Sequence, residues 1–432
     1  MKVLVLGANG FLGSNIVGSL LNAGYSVFCG VRDVEKIRVR FPECQGIFIN
    51  FGDMQAPDKW TEILKNHKID VVINAVGALM NKSNNSLENL HVKTPLALFK
   101  ACTDKKIRVI HVSAFGIQED QKTEYAKTKK LTMQALQDNK QLHWNIVSPS
   151  VVYGDASSGI TSTLRALSVF PVGIPLIDGG KAITYPIHMT DFTAIMVKLV
   201  ENPTLKHLNI SALGPDAVSI KTFLESYRSW FGIKPGFSLS LSRKLLWPFA
   251  VIGDFIGSEK LNTTSLRLLS VPTPKRQDQH CLPEHVEVKP KSWSQGLFGF
   301  PAGVQSLWYA RLFPIKTALF CLLGLFWIIK GLIAGFLNPD QTLALLKEID
   351  LFGPSSIWYI KFFCIIEIIL GTCYLFGRII PIATGVLLSF LVTDLCLFTD
   401  LSYWLDPMGG MIKIFPLMGL HVVALSICKD RI

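Results

Sequence analysis

The chain has 432 residues, of which 49% are hydrophobic and only 17% are charged. This length exceeds one hydrophobic core, and the shortage of charge excludes a wholly soluble protein of ordinary composition. The net charge of +11 lies almost entirely before residue 301. No Lys/Arg block or nucleic-acid motif accompanies it, so we expect no nucleic-acid partner. The nine cysteines form no CxxC pair, and we expect neither a disulfide framework nor a metal site.

The chain opens with a short apolar strand that runs into a glycine-rich turn and then an amphipathic helix from about Ser14 to Asn22. Strand, glycine turn and helix in this order are typical of dinucleotide binding, because the helix N-terminus offers free N–H groups to a diphosphate. A purely structural tight turn is the alternative. The residues predicted to contact the dinucleotide here are Gly7, Asn9, Gly10, Phe11, Leu12 and Gly13.

The end of the second strand, Ser26 to Val31, bears on which dinucleotide is bound. Domains that prefer NAD usually have an acidic residue there, which bonds the ribose 2′-hydroxyl. Val31 holds that place and Arg32 follows it. We therefore expect NADP(H) to be favoured over NAD(H). The alternative is that Arg32 is a surface residue and Asp33 takes the role of the acid.

Further α/β units follow in alternation, which predicts a parallel, doubly wound sheet. A strand from Gly46 to Asn50 leads to Asp53, expected at the adenine edge. The next strand ends in a turn expected over the cofactor, formed by Asn74, Ala75, Val76 and Gly77.

Tyr125 and Lys129 are spaced to share one helix face. A nearby ammonium and the charge of a nicotinamide can lower the pKa of a tyrosine, so that it passes a proton while hydride moves. The spacing therefore indicates a catalytic pair, with a lysine-rich surface helix as the alternative.

These motifs, together with His111–Gly116 and Ser148–Gly154, resemble the extended and atypical short-chain dehydrogenase/reductases over about residues 1–240. The NAD(P)-dependent epimerase/dehydratase group is the nearest, in a branch that includes the nucleotide-binding accessory subunit of respiratory complex I. The resemblance implies that Tyr125 is the general acid/base, that Lys129 holds the nicotinamide ribose, and that Pro149 flanks the nicotinamide.

Two departures from the family pattern concern catalysis. Ala114 stands where the family has its catalytic Ser/Thr, so that Ser113 could substitute only if its side chain turns into the site. Ser148 replaces the arginine before the Pro-Ser pair. We expect nucleotide binding to survive both changes and alcohol or ketone chemistry to be weakened by them.

The composition of residues 1–312 predicts a folded domain followed by a connector. A Rossmann domain with a small substrate lid is expected over residues 1–256, with the lid at about 155–256. Within the lid, His188 and Asp191 resemble a structural hinge motif. Residues 257–312, rich in Pro, Lys, Gln and Ser, predict an extended connector.

Four apolar stretches follow, at about 313–337, 357–377, 379–399 and 410–428. Each is long enough for a membrane span of about 20 residues. The charges of the connecting loops place both termini in the cytoplasm, and with no signal peptide this fits the inner membrane of a bacterium. Residues 313–432 would form an all-α four-helix transmembrane bundle, and about residues 308–432 resemble the DoxX-like family through Trp404–Lys413.

Ionisable side chains are costly inside a membrane span, so their presence in these stretches needs an explanation. They are Lys330, Glu367, Asp394, Lys413 and His421. We expect them to face the bundle interior as pairs, Glu367 with His421 or Lys330, and Asp394 with Lys330 or Lys413. Such pairs serve either as packing contacts or as a path for protons or a quinone.

The function expected from the sequence is a membrane-anchored NAD(P)(H)-dependent oxidoreductase that acts on a carbonyl or alcohol of lipophilic character. A non-catalytic nucleotide-binding subunit of a membrane redox complex is the main alternative, favoured by Ala114 and Ser148. A solute or quinone carrier gated by the nucleotide domain is a weaker one. The sequence names neither the substrate nor the oligomeric state.

Overall fold

The computed structural model describes residues 1–81, 86–117, 122–154, 157, 159–255, 262–269, 286–340, 343–344, 356–376, 383–385, 387 and 414–428. Two compact units divide the chain, Met1–Ala310 and Arg311–Ile432. The strands of the first unit are β1 Lys2–Leu6, β2 Ser26–Val31, β3 Gln45–Phe48, β4 Val71–Asn74, β5 Arg108–Val112, β6 Trp144–Pro149, β7 Val152–Tyr153, β8 Ile174–Ile177, β9 Ile183–Thr184, β10 Ile187–His188, β11 Leu208–Ala212, β12 Val218–Ser219 and β13 Ser238–Leu241.

The α-helices are numbered in chain order in the same way. They are α1 Phe11–Asn22, α2 Val34–Arg40, α3 Pro57–His67, α4 Thr94–Lys105, α5 Glu124–Asp138, α6 Ile160–Ser168, α7 Met189–Glu201, α8 Ile220–Trp230, α9 Arg243–Phe255, α10 Thr263–Leu268, α11 Trp293–Phe298, α12 Val304–Leu332, α13 Ser356–Leu375 and α14 Ile414–Ile427.

A seven-stranded parallel sheet forms the centre of the first unit, in the order β11-β6-β5-β4-β1-β2-β3. The four apolar residues of β1 are fully buried, as a strand covered on both faces by helices requires. The strand order reverses between β1 and β4, and ligands of such sheets bind at this point, outside the carboxyl ends of the strands. The predicted α/β doubly wound fold is confirmed.

The smaller lid is less separate than the sequence suggested. Strand β11 pairs in parallel with β6, and α7 packs on the main core, so both belong to the Rossmann sheet although they lie within residues 155–256. The pieces outside this sheet are α6, α8, α9 and the short strand pairs β7–β10, β8–β13 and β9–β12. A separate aromatic core built on Phe223, Tyr227 and Trp293 supports them.

Residues 286–298 correct the expectation of an extended connector. Lys291 forms an ion pair with the buried Asp191, with Nζ 2.8 Å from Oδ1. Trp293 is buried, and its ring stacks on Phe223 at a centroid distance of 4.7 Å. The burial of Trp293 and the ion pair with Asp191 hold this segment against the first unit despite its polar composition. Residues 271–276, the centre of the predicted linker, lie outside the described residues.

In the second unit, α12 and α13 approach closely through glycine. A Cβ at Gly324 would lie 2.9 Å from the carbonyl oxygen of Gly371, a spacing that only small residues allow. Within the part of the chain that is described, one helical stretch, Val304–Leu337, has the length and apolarity to cross a membrane, and Phe415–Ile427 is a shorter apolar helix. The third predicted span lies mostly outside the described residues, as do Asp394 and Lys413.

Candidate active site

The first candidate site is the turn between β1 and α1. Gly7 has a φ of +78°, a conformation that strains other residues, and a Cβ there would lie 3.0 Å from the carbonyl oxygen of Ala75. A Cβ at Gly13 would overlap the backbone of Gly7. The glycines therefore allow the first helix and the loop after β4 to approach the end of β1.

The N-terminus of α1 is open to an anion. Gly10 is its N-cap, no side chain caps it, and its first turn carries no acidic residue. An uncapped helix of twelve residues leaves its first N–H groups free and presents the positive end of its dipole. These properties fit the diphosphate of a dinucleotide.

The end of β2 carries the residues predicted to choose the cofactor. Arg32 is exposed, whereas the Asp33 carboxylate caps α2 by accepting from the backbone N–H of Lys36 at 3.3 Å. Asn9 donates to the backbone carbonyl of Asp33 at 3.2 Å, which fixes the glycine turn against this edge. Farther along, the Asp53 carboxylate accepts from the Asn50 side chain at 2.7 Å and is exposed beyond β3.

The loop after β4 contacts the buried ammonium of Lys129. Asn74 shapes this loop by accepting from the backbone N–H of Val76 at 3.2 Å. Lys129 Nζ donates to the carbonyls of Val112 at 3.1 Å and Val76 at 3.4 Å, and the backbone of Gly77 lies beside it. Its side chain is 3% exposed, and burial lowers its pKa to about 8.

Tyr125 lies one helical turn before Lys129 on α5 and is half-buried. Burial raises its pKa to about 12 in the protein alone, and the lowering expected beside a nicotinamide stays a prediction. The physical reason is that the surrounding protein disfavours the phenolate, while the Lys129 ammonium is directed at two backbone carbonyls. In the protein alone, Tyr125 is therefore a protonated donor at neutral pH.

His91 is a residue of this site that the sequence analysis missed. Its ring meets the Tyr125 ring edge-on at 5.6 Å. Nε2 accepts from the Ala78 backbone N–H at 3.2 Å, so Nδ1 carries the proton and donates to Thr128 Oγ1 at 3.0 Å. Burial, with a smaller effect of the Lys129 charge, lowers its pKa to about 2. A neutral His91 thus ties the loop after β4 to the helix of Tyr125. Its only sequence signal is a histidine on an otherwise apolar helix face.

The hydroxyl of Ser113 is directed at Met133, which lies two turns beyond Tyr125 on α5. Ser113 is buried, and its hydroxyl donates to the sulfur of Met133 at 2.9 Å. Ala114 beside it has no hydroxyl. Ser113 also lines the cavity beside Tyr125, and its substitution for the missing catalytic Ser/Thr stays a prediction.

A cavity of about 320 Å³ brings part of the predicted site together. Five of the predicted residues line it: Phe11, Leu12, Ser113, Tyr125 and Pro149. The lid contributes the opposite wall, through Leu164 and Ile220 among others. The glycine turn, Arg32, Asp53, the loop 74–77 and Lys129 do not line this cavity but surround the same carboxyl end of the sheet.

The second unit carries the polar residues predicted for the bundle. Lys330 and Glu367 form an ion pair between α12 and α13. His421 does not join them, because its Nε2 accepts from Trp327 Nε1 at 2.9 Å and its Nδ1 donates to the Leu417 carbonyl at 2.6 Å. Of the two partners expected for Glu367, the structure selects Lys330.

Known proteins resemble the two parts of the chain separately. Residues 3–211 match the NAD dependent epimerase/dehydratase family, and residues 324–422 match the DoxX-like family. An uncharacterized chloroplastic protein of Arabidopsis thaliana is 42% identical over 64 residues. This match covers 15% of this chain and only 23% of that protein, so the chain spans about a quarter of that relative's length.

Solved structures share the fold of the first part. The NAD complex of dTDP-glucose 4,6-dehydratase from Bacillus anthracis has a TM-score of 0.53 at 14% identity and covers 72% of this chain and 96% of its own. A double mutant of the dTDP-glucose 4,6-dehydratase DesIV from Streptomyces venezuelae, with NAD and DAU bound, has a TM-score of 0.51 at 14% identity, covering 72% and 97%. The two parts of the chain are thus similar to different families, the N-terminal part to the NAD dependent epimerase/dehydratase family and the C-terminal part to the DoxX-like family, and the first part shares its fold with NAD-bound dehydratases.

Proposed function

We propose that the first unit is an NAD(P)(H)-dependent oxidoreductase that transfers hydride between the dinucleotide and a carbonyl or alcohol. The observation that carries the proposal is the meeting of an uncapped, acid-free helix N-terminus with a Tyr125–Lys129 pair at one end of a parallel sheet. The glycine turn would hold the diphosphate and Lys129 the nicotinamide ribose. The bound dinucleotide would supply or accept the hydride.

The residues of this chain would move the proton. Tyr125, protonated at neutral pH, would give its proton to the oxygen of a carbonyl substrate and recover it from solvent. Lys129 would limit the cost of the transient phenolate, since its ammonium lies one turn away. His91 would keep the loop over Lys129 in place.

NADP(H) is the cofactor we propose over NAD(H), although NAD is the dinucleotide bound to the two similar structures. Arg32 is exposed at the end of β2, and the acid next to it serves as a helix cap. A guanidinium suits a 2′-phosphate because it binds phosphate bidentately.

Nucleotide affinity tests the proposal. Full-length protein in mild detergent is titrated with NADPH and NADH, and we expect NADPH to bind at least about tenfold more tightly. Arg32→Ser should remove this preference, whereas Arg38→Ser, exposed on α2, should keep it. Absence of binding for both nucleotides would refute the proposed function, and equal binding in the wild type would refute the NADP preference alone.

One observation favours a second function, a non-catalytic nucleotide-binding subunit of a membrane redox complex. The hydroxyl of Ser113 is bound to Met133, and Ala114 offers none, so Tyr125 has no hydroxyl partner from this strand end. Tight NADPH binding without turnover on any carbonyl, with membrane proteins that co-purify, is the expected result for this alternative.

The DoxX-like unit is proposed as the membrane anchor. Its α12 belongs to the stretch that is long and apolar enough to span, and large apolar side chains such as Leu322 and Phe362 are exposed on its helices. Four spans, with both termini in the cytoplasm, remain our prediction. Accessibility of cysteines placed at each terminus to a membrane-impermeant thiol reagent in intact cells tests it.

A further inference from the structure

The cavity beside Tyr125 has an uncharged wall. Among its described lining residues there is no Lys, Arg, His, Asp or Glu, and the one ionisable side chain is Tyr125 itself. Apolar residues make up most of the lid side, including Ile160, Leu164 and Ile220. A ligand in this cavity therefore meets hydrocarbon on the side away from the sheet.

The hydroxyl groups of the wall are already engaged with the protein. Thr161 donates to the Val152 carbonyl at 3.0 Å, and Ser150 and Thr184 hydrogen-bond to each other at 3.0 Å. Ser113 donates to Met133. The Tyr125 hydroxyl is thus the group best placed to bind a polar atom of the ligand.

Positive charge is present in the lid but lines another cavity. Arg165 follows Leu164 on α6 and lines a separate space of about 370 Å³ together with Tyr153 and Tyr227. Its Nη1 donates to Ser157 at 3.0 Å. Helix α6 therefore turns Leu164 toward Tyr125 and its arginine elsewhere.

We infer that the substrate of the Tyr125 cavity is an uncharged, apolar ketone or secondary alcohol rather than a nucleotide sugar. This inference rests on the proposed function. A diphosphate brought against such a wall would lose its hydration without gaining a cation, which is far costlier than burying a neutral body with one oxygen. The cavity of about 320 Å³ is also lined by Phe11, Leu12 and Pro149, which are predicted to contact the dinucleotide, so the part left for the substrate suits a small apolar body.

The reaction balances without a further reactant. In the reductive direction, hydride leaves the dihydronicotinamide and forms the C–H bond at the carbonyl carbon, while the carbonyl π bond breaks toward oxygen. Tyr125 gives the oxygen its proton and is reprotonated by solvent. One ketone, one NADPH and one proton from solvent become one alcohol and one NADP⁺.

A matched pair of ketones tests the inference. Acetophenone and its para-carboxylate share the reacting group and differ in charge. With full-length protein and NADPH, we expect kcat/KM for acetophenone to exceed that for the carboxylate by at least about 100-fold, because a buried carboxylate without a partner is costly. Binding is followed in parallel by equilibrium dialysis with NADP⁺ present, so that the preference is measured even where turnover is slow. Equal or tighter binding of the carboxylate, or of UDP-glucose, would overturn the inference.

A charged variant of the wall provides the second test. Ile220→Asp should reduce acetophenone binding by about 100-fold and leave NADPH affinity unchanged, since Ile220 lies on the lid wall. Ser229→Asp, exposed on the same helix, is the control and should change neither. Unchanged acetophenone binding in Ile220→Asp would contradict the inference. If the wild-type protein does not bind NADPH at all, the proposed function is contradicted instead.

Discussion

Two lysines in apolar surroundings distinguish the two units. Lys129 in the first unit is buried against backbone carbonyls of Val76 and Val112 and has no carboxylate among its hydrogen-bond partners. Lys330 in the second unit forms an ion pair with Glu367, and its ammonium lies 5.1 Å from the centre of the Trp327 ring. Lys129 is thus buried without a counterion among the described residues, whereas Lys330, whose side chain is 41% exposed, is paired with a carboxylate.

The difference indicates different roles. A buried cation held only by dipoles destabilises the protein, and its retention suggests chemistry, here the support of a tyrosine proton donor. A cation paired across two helices fixes their register and leaves little charge to act on a ligand. We therefore place the chemistry in the first unit and packing in the Lys330–Glu367 pair.

Removing the proton donor should have the largest effect. Tyr125→Phe should lower kcat on a ketone substrate by about 10²–10⁴-fold, the usual contribution of a positioned acid, and leave NADPH affinity within about twofold. Turnover measured from NADPH absorbance and affinity from fluorescence separate the two effects. Tyr25→Phe, remote from the cavity, is the control. Full activity in Tyr125→Phe would remove this residue from the mechanism.

Breaking the ion pair should have the next largest effect. Lys330→Met leaves the Glu367 carboxylate without its cation, and we expect a loss of at least about 2 kcal/mol in unfolding free energy. The double variant Lys330→Met/Glu367→Leu should regain most of it, since neither charge of the pair is then left without its partner. Thermal unfolding in detergent measures both. A double variant as unstable as Lys330→Met would show that the pair does more than balance charge.

Removing the unpaired lysine should stabilise the protein. The folded pKa of Lys129 is about 8 against 10.5 for the free side chain, so the unfolded chain binds more protons between these pH values. Its charged form therefore costs up to about 3 kcal/mol at neutral pH, and that cost is relieved as pH rises from about 8 to 10.5. Lys129→Met should raise the melting temperature at pH 7 and lose this gain at high pH, with Lys127→Met, exposed on α5, as control. A lower melting temperature at every pH would contradict the argument.

The smallest expected effect concerns His91. Its folded pKa of about 2 lies below the ordinary value of 6.5, so stability is complete above pH 6.5 and is lost as pH falls. The loss from this group is about 1 kcal/mol at pH 5.5. His91→Asn should reduce the slope of melting temperature against pH between 6.5 and 5, whereas His67→Asn at the end of α3 should not. Identical slopes in wild type and His91→Asn would exclude this role.

Local patterns were enough to predict the sheet and the glycine turn. The conformation of the fully apolar β1 and the following glycines depends on residues close in sequence. The prediction placed the start of α1 at Ser14 instead of Phe11, because Gly10 serves as the N-cap, and the third strand at Gly46–Asn50 instead of Gln45–Phe48. Tyr125 and Lys129 share a face because both lie on one helix.

Contacts between distant segments could not be predicted in this way. Strand β11 joins the sheet across about 60 residues from β6, and Trp293 is buried in a segment whose composition predicts a linker. The pairing of His91 with Ala78 and Thr128 and the turn of Ser113 toward Met133 depend on side-chain packing between elements. Such packing determines whether a predicted catalytic group is usable.

Transfer of a deuterium label tests the central claim most directly. Full-length protein is incubated with NADPH carrying deuterium at the transferable position of the dihydronicotinamide and with acetophenone, and the alcohol is analysed by mass spectrometry. The account predicts one deuterium on the carbinol carbon, with a rate that falls in Tyr125→Phe. If NADPH binds but no label reaches acetophenone or any other ketone, the account is contradicted. The alternative function, a nucleotide-binding subunit without hydride chemistry, would then be supported.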